Sequence, residues 1–181
     1  MLAEGEYLRL SEELNALDYL EKAVAFVRSA ISNPVDWKWV VLALHGSIYG
    51  FMICSLKGTD PSRVINRTKR GDRLTDFGEA LRRCQDPAWM NMTYHSQPLT
   101  VSGEQKRALD YIHEEFRNRF IHYQPCLWSI ELNGLPGILA HGFDIARFLS
   151  IETGNCVHLT AEECKKIDQL VGEAKGVLAS I

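Results

Sequence analysis

The chain has 181 residues, of which 46% are hydrophobic and 24% are charged, and these proportions exclude a disordered or fibrous protein. We expect a single domain over residues 1–181, because this length suits one hydrophobic core. The net charge of -3 excludes an overall positive field that would hold the protein on nucleic acid, so any site for a polyanion has to be local.

The cysteine pattern and the N-terminus favour a cytoplasmic protein with reduced thiols. The five cysteines are odd in number, and no two have the spacing of a zinc knuckle. Glu4, Glu6 and Arg9 interrupt the apolar residues near the start, which is not the pattern of a secretion signal. The longest apolar stretch, residues 40–56, is shorter than a membrane span and contains His45, so it predicts a buried helix and no membrane contact.

Two helices are predicted in the first third of the chain. Apolar residues recur at intervals of three and four residues over residues 11–31, and this spacing places them on one face of a helix. Asn33 and Pro34 are typical of a helix start, so a second helix is predicted over residues 34–56, with Gly58 at its end. This second helix is apolar nearly all round and is therefore expected to lie between other helices.

Residues 59–73 form the one basic concentration in the sequence. Its five cations are Arg63, Arg67, Lys69, Arg70 and Arg73. Such a run is typical of a solvated loop. The alternative is a rim that contacts the phosphates of RNA.

The middle of the chain is predicted to hold a short helix, an irregular connection and a long helix. The short helix covers residues 75–85, and residues 86–98 are rich in turn formers. Trp89 and Tyr94 in this connection are expected to pack over the core. A capping box at residues 102–105 opens the long helix, which is expected to end before Pro125.

Two further helices complete the prediction. Residues 128–132 alternate briefly and allow a short extended piece. Helical spacing returns over residues 135–151, and a second capping box at residues 160–163 opens the last helix. The predicted fold is all-α, a helical bundle of four long helices plus a short one.

No metal or cofactor is predicted. The six histidines form no His-Glu-x-x-His pair, and there is no Gly-x-x-x-x-Gly-Lys or Gly-x-Gly-x-x-Gly loop for a nucleotide.

The chemically informative stretch is Arg117-Asn118-Arg119-Phe120-Ile121-His122. It resembles the HEPN superfamily, helical domains whose nuclease members carry Arg-x4-6-His, often with Asn, Asp or His directly after the arginine. The match to this short motif is complete, and the helical layout around it also agrees. The resemblance implies a HEPN-like bundle in which Arg117, Asn118 and His122 are catalytic.

The residue types suit metal-free cleavage of RNA. A base takes the proton of the ribose 2′-hydroxyl, or an acid protonates the leaving oxygen, and a cation stabilises the charge that grows on the phosphate. Histidine as a residue type can take up or give a proton near neutral pH, which suits His122 to either transfer. Arginine binds phosphate oxygens with its forked donors, which suits Arg117, and Asn118 can orient either group. The resemblance implies a product that ends in a 2′,3′-cyclic phosphate.

The spacing of the motif raises a geometric difficulty. Residues five apart are separated by about 140° on a continuous helix, so Arg117 and His122 do not share a face. Either Pro125 distorts the turn that carries His122, or a two-fold partner completes the site. The resemblance favours the second answer, because HEPN nucleases generally pair their motifs across a dimer cleft.

The leading hypothesis is therefore a metal-independent RNA endonuclease, a homodimer and a toxin or defence effector, with a nucleotidyltransferase-like antitoxin as a possible partner. One alternative is a non-catalytic HEPN-like module that binds nucleic acid or a protein. Another is a bundle that binds a small ligand between the second helix and residues 89–94. In the structural alternative, Arg117 and His122 only stabilise a helix end through its dipole, and His45 is a satisfied core histidine. For His113, four residues before Arg117, a surface position is expected, and the alternative is that it extends the site.

Overall fold

The computed structural model describes residues 7–69, 71–122, 127 and 129–181. It is 68% helix and 5% strand, so the predicted all-α class is confirmed. Arg70 of the predicted RNA-binding set lies outside the described residues, as do Pro125 and Trp128.

The first two helices begin and end near their predicted limits. Helix α1 (Glu12–Ala30) starts at Ser11, whose hydroxyl accepts a hydrogen bond of 3.1 Å from the backbone N–H of Leu14. Helix α2 (Trp37–Lys57) starts three residues later than predicted, because Pro34–Asp36 forms a tighter 3-10 turn. Gly58 ends α2 with a φ of 51°, a conformation that favours glycine.

Helices α1 and α2 pack closely along their length. A Cβ atom at Gly50 of α2 would lie 2.7 Å from the Cβ atom of Ala16 on α1. The two backbones can approach this far only because position 50 has no side chain. The other long helices pack on this pair, with the C-terminal helix against α1 and most of the remaining helical segments against α2.

The basic segment contains a hairpin that the sequence analysis did not predict. Strand β1 (Ile65–Thr68) pairs with strand β2 (Gly71–Leu74) in antiparallel register, with Ile65 opposite Leu74 and Thr68 opposite Gly71. Gly71 has a φ of 108°, which allows a turn too tight for most other residues. The predicted solvated loop is in this respect wrong.

The connection after the hairpin holds helix α3 (Phe77–Cys84) and the single turn α4 (Pro87–Met90). Trp89 packs beside the core, with the guanidinium carbon of Arg83 4.3 Å from its ring centroid. Tyr94 is 97% exposed, so the prediction that it packs over the core is wrong.

The helix that carries the motif changes its winding along its length. Helix α5 (Gly103–Asp110) begins with the predicted capping box of Ser102 and Gln105. A π-helical segment, Tyr111–Arg117, follows without a break and leads into helix α6 (Asn118–His122).

The last third of the chain holds helix α7 (Leu135–Arg147), a π-helical turn at Phe148–Glu152 and helix α8 (Ala161–Leu178). The predicted capping box of Thr160 and Glu163 is present. Residues 129–132 form no strand in the part that the structure describes.

The described residues contain five long helical segments, so the predicted total of four is too low by one. The stretches predicted one by one already include five long helices, over residues 11–31, 34–56, 102–124, 135–151 and from residue 160, and each of these stretches contains a helix in the described residues.

Helix α2 occupies the centre of the bundle, as predicted. It contacts α1, α3, α7 and both π-helical segments, and it is buried on most of its circumference. The stretch Pro34–Lys57 is long and apolar enough to cross a membrane, but 72% of its most apolar window is buried inside the protein. This burial is typical of the core helix of a soluble protein.

Candidate active site

A cavity of about 790 Å³ opens between α1, α2 and the helix that carries the motif. Helices α1 and α2 supply most of its wall, and β2 and the motif helix supply the rest. The lining residues are Glu12, Asn15, Asp18, Tyr19, Lys22, Phe26, Trp39, Leu42, Ala43, His45, Gly46, Tyr49, Gly50, Ile53, Leu74, Arg117 and Ile121. The predicted catalytic arginine therefore faces an open space large enough for a ligand.

Arg117 is held by its neighbour in the sequence. Its Nη1 atom donates a hydrogen bond of 2.9 Å to Oδ1 of Asn118, and Nδ2 of Asn118 donates one of 3.1 Å to Oε2 of Glu114. This chain of contacts fixes the amide of Asn118, which in turn limits the motion of the guanidinium. The orienting role of Asn118 in catalysis stays a prediction.

Two histidines meet beside Arg117. Nε2 of His45 on α2 lies 2.9 Å from Nδ1 of His113 on the π-helical segment, so one of these nitrogens donates to the other. Both rings stack on Phe77, with centroid distances of 4.6 Å for His45 and 4.2 Å for His113. His45 is buried, as expected of a core histidine, whereas His113 is half-buried and not the surface residue that was expected.

Burial holds both histidines in their neutral forms. It lowers the pKa of His45 from 6.5 to about 3, and the charges of His113 and Arg117 lower it further in the same direction. Burial also lowers the pKa of His113, against the opposing effect of Glu114 and with the help of Arg117. At neutral pH the positive charge in this cluster is therefore that of Arg117.

The π-helical segment aligns His113 and Arg117 with α2. The backbone N–H of Asn118 donates to the carbonyl of His113, which is the five-residue interval of a π-helix. His113 touches His45 of α2, and Arg117 lines the cavity beside α2. π-helical turns of this kind are frequent at functional sites.

His122 lies apart from this cluster. It is exposed at the end of α6, and among the described residues the cavity wall includes Arg117 and Ile121 but not His122. The winding changes before Arg117, whereas α6 is α-helical up to His122. The predicted distortion at His122 is therefore not found in the described residues, and Pro125 lies outside them. Completion of the site by a two-fold partner stays a prediction.

The hairpin borders the same cavity through Leu74, at the end of β2. Arg67, Lys69 and Arg73 are exposed on this hairpin. None of these three cations lines the cavity itself, and the hairpin also carries Asp72.

Arg63 is placed differently from the other predicted RNA-binding cations. Its Nε atom donates a hydrogen bond of 3.0 Å to the carbonyl of Leu56, and its Nη2 atom donates to the carbonyl of Trp89. Arg63 therefore links α2 to the segment that contains Trp89. Its guanidinium is already bound to backbone carbonyls, so Arg63 does not belong to the cations expected to contact RNA phosphates.

His45 and Tyr49 line the cavity although the sequence analysis did not place them in the site. They stand four residues apart on α2 and share a face, which is the signal that could have joined them. The hydroxyl of Tyr49 donates a hydrogen bond of 2.5 Å to the carbonyl of Thr75, and its burial raises the pKa of the hydroxyl. Tyr49 thus links α2 to the start of α3.

Neither a metal cluster nor a known relative adds to this description. No three His, Cys, Asp or Glu side chains come together as a metal site in the described part of the chain. No family model, no curated protein and no solved structure matches the chain. The resemblance to HEPN proteins rests on the motif from Arg117 to His122 and on the helical layout.

Proposed function

We propose that this protein is a metal-independent RNA endonuclease of the HEPN type. The observation that carries the proposal is the position of Arg117, which lines the cavity while Asn118 holds its guanidinium. A held arginine at the wall of an open space is suited to gripping a phosphate, because its forked donors match two phosphate oxygens. The exposed cations of the hairpin, Arg67, Lys69 and Arg73, would guide the RNA backbone to it.

In the proposed reaction the ribose 2′-oxygen attacks the adjacent phosphorus atom. The bond from phosphorus to the 5′-oxygen of the next nucleotide breaks, and a 2′,3′-cyclic phosphate forms. One group takes the proton of the 2′-hydroxyl, and the 5′-oxygen gains a proton as it leaves. His122 performs one of these proton transfers, and Arg117 stabilises the negative charge on the phosphate.

The proposal includes a homodimer, because the two catalytic side chains face different directions in one copy. A residue five positions after Arg117 is turned by about 140° on an α-helix, and His122 is exposed. A two-fold axis near the end of α6 would bring His122 of one copy toward Arg117 of the other. A toxin or defence role, a cytoplasmic location and a nucleotidyltransferase-like antitoxin belong to the same proposal through the family resemblance.

The test is cleavage of a labelled single-stranded RNA in EDTA, followed by analysis of the product ends. We expect the wild type to cut and to leave cyclic phosphates, and Arg117→Ala and His122→Ala to lose the activity. Arg107→Ala and His158→Ala are matched controls, because they remove an exposed arginine from α5 and an exposed histidine elsewhere. Both controls should cut like the wild type. In a dimer of one copy of each inactive variant, one site combines an intact His122 from one copy with an intact Arg117 from the other. A mixture of the two variants should therefore regain the activity of these sites and no more.

The second candidate is a non-catalytic module that binds RNA or a protein. It is favoured by the distance of His122 from the cavity wall, since one copy alone lacks a complete catalytic pair. Equal inactivity of the wild type and both variants, with RNA binding retained, would decide for this candidate.

A further inference from the structure

The part of the cavity wall formed by α1 and the start of α2 carries exposed aromatic rings. Tyr19 and Trp39 line this wall and are 42% and 43% exposed. Trp39 stacks with Phe26, with ring centroids 6.2 Å apart and an angle of 28° between the planes. Nζ of Lys38 lies 4.4 Å from the centroid of the Trp39 ring, so a ligand that stacks on Trp39 displaces this flexible side chain. The aromatic rings of Tyr19 and Trp39 thus border the same space that Arg117 faces.

The backbone of α2 fixes the position of Tyr19. A Cβ atom at Gly46 would lie 2.7 Å from Cδ1 and 2.9 Å from Cε1 of the Tyr19 ring. The ring thus rests directly on a position without a side chain. A ring held in this way loses little freedom when a ligand stacks on its other surface.

Polar groups stand on the same face of α1. Asn15, Asp18 and Lys22 line the cavity and follow one another at three and four residues. They supply amide, carboxylate and ammonium groups, and Nζ of Lys22 lies 4.0 Å from Oδ1 of Asp18. Such groups can pair with the donors and acceptors on the edge of a nucleobase.

We propose that the cavity binds one unpaired nucleotide of the RNA, with its base against Tyr19 and Trp39 and its phosphate on Arg117. The proposal rests on the proposed function, because it names the part of the substrate that the same site receives. The volume of about 790 Å³ lies within the range of pockets that enclose small ligands. Only an unstacked base has a face free for the aromatic side chains, so the pocket selects single strands over duplexes.

The experiment measures the binding of a fluorescent 2′-O-methyl RNA pentamer, whose blocked 2′-oxygen cannot attack the phosphate. We expect Trp39→Ala and Tyr19→Ala to raise Kd by about 5- to 150-fold each, which is the effect of losing one stacking partner. Trp39→Phe should retain most of the affinity. Tyr94→Ala is the matched control, because Tyr94 is a 97% exposed aromatic residue outside the cavity, and its Kd should equal that of the wild type. A duplex of the same sequence should bind more weakly than the single strand.

The results separate this pocket from the proposed cleavage. Binding that depends on Trp39 in a protein that never cuts RNA would support the pocket and remove the nuclease function. Normal cutting and binding by Trp39→Ala would overturn the pocket and leave the nuclease function intact. Light scattering on each variant adds a third result. If Trp39→Ala changes the oligomeric mass, this face lies between copies of the chain and the nucleotide pocket is overturned.

Discussion

His45 should make the stability of the protein fall as the solution is acidified. Its pKa is 6.5 in the ordinary environment and about 3 in the folded protein. Between pH 6.5 and 3, His45 is therefore protonated in the unfolded chain but not in the folded chain. The free energy of unfolding falls as the pH falls from about 6.5 toward 3. At pH 5 this difference corresponds to about 2 kcal/mol, at 1.36 kcal/mol for each unit of pKa.

The variant His45→Phe isolates this effect. Phenylalanine keeps a ring against Phe77 and cannot take up a proton. The decrease in the free energy of unfolding that the protonation of His45 causes at low pH should therefore disappear. Urea unfolding at pH 7 and pH 5, followed by circular dichroism, gives the free energy of unfolding of each protein. The loss between the two pH values should be about 2 kcal/mol smaller in His45→Phe than in the wild type. His158→Phe, which changes an exposed histidine, should retain the loss of the wild type.

The carboxylates are present in both proteins, so their titration largely cancels in the comparison. His113 touches His45, so an NMR titration of His113 in both proteins supplies the part that does not cancel. An equal loss in His45→Phe and the wild type would refute the reasoning, because it would mean that His45 is protonated in the folded protein at pH 5.

Two further predictions concern the packing of the bundle. Lys57→Met should destabilise the protein by about 3–5 kcal/mol in urea unfolding, because it leaves the carboxylate of Glu13 buried without its partner at 3.1 Å; the double variant E13Q/K57M should recover most of this loss, and equal stabilities of all three proteins would contradict it. Gly142→Ala should cost about 1–3 kcal/mol, since the new Cβ would lie 2.8 Å from Cδ2 of Leu44. Gly137→Ala on the same helix has open space and should instead stabilise by about 0.5–1 kcal/mol, so a shared sign in thermal unfolding would count against the packing described.

Most of the helices could be predicted because their signals are local. The capping boxes that begin at Ser102 and Thr160 each need only four adjacent residues, and both are present. Gly58 and Gly154 end helices through a backbone conformation that their own lack of a side chain permits. The hairpin was missed because β1 and β2 are four residues each and polar, so their alternation is hidden.

The composition of the site was predictable only in part. Arg117 and Asn118 were found because they are adjacent in a short motif. His45 belongs to the same site because it contacts His113, which lies 68 positions later in the sequence. No local sequence pattern predicts such a distant pair. The aromatic wall formed by Tyr19 and Trp39 also depends on how two helices pack, which spacing within one helix does not reveal.

The π-helical segment Tyr111–Arg117 makes the site depend on one extra residue in the helix. A π-helical hydrogen bond reaches back five residues instead of four, so a π-helical turn holds about one residue more than an α-helical turn. If the same sequence took up ordinary α-helical winding here, everything after the segment would turn by about 100°, and a neighbour of Arg117 would face the cavity. A chain that lacks one residue of the segment and is α-helical throughout would instead keep the motif in its present direction. In related chains, a one-residue gap here would therefore be compatible with the same site.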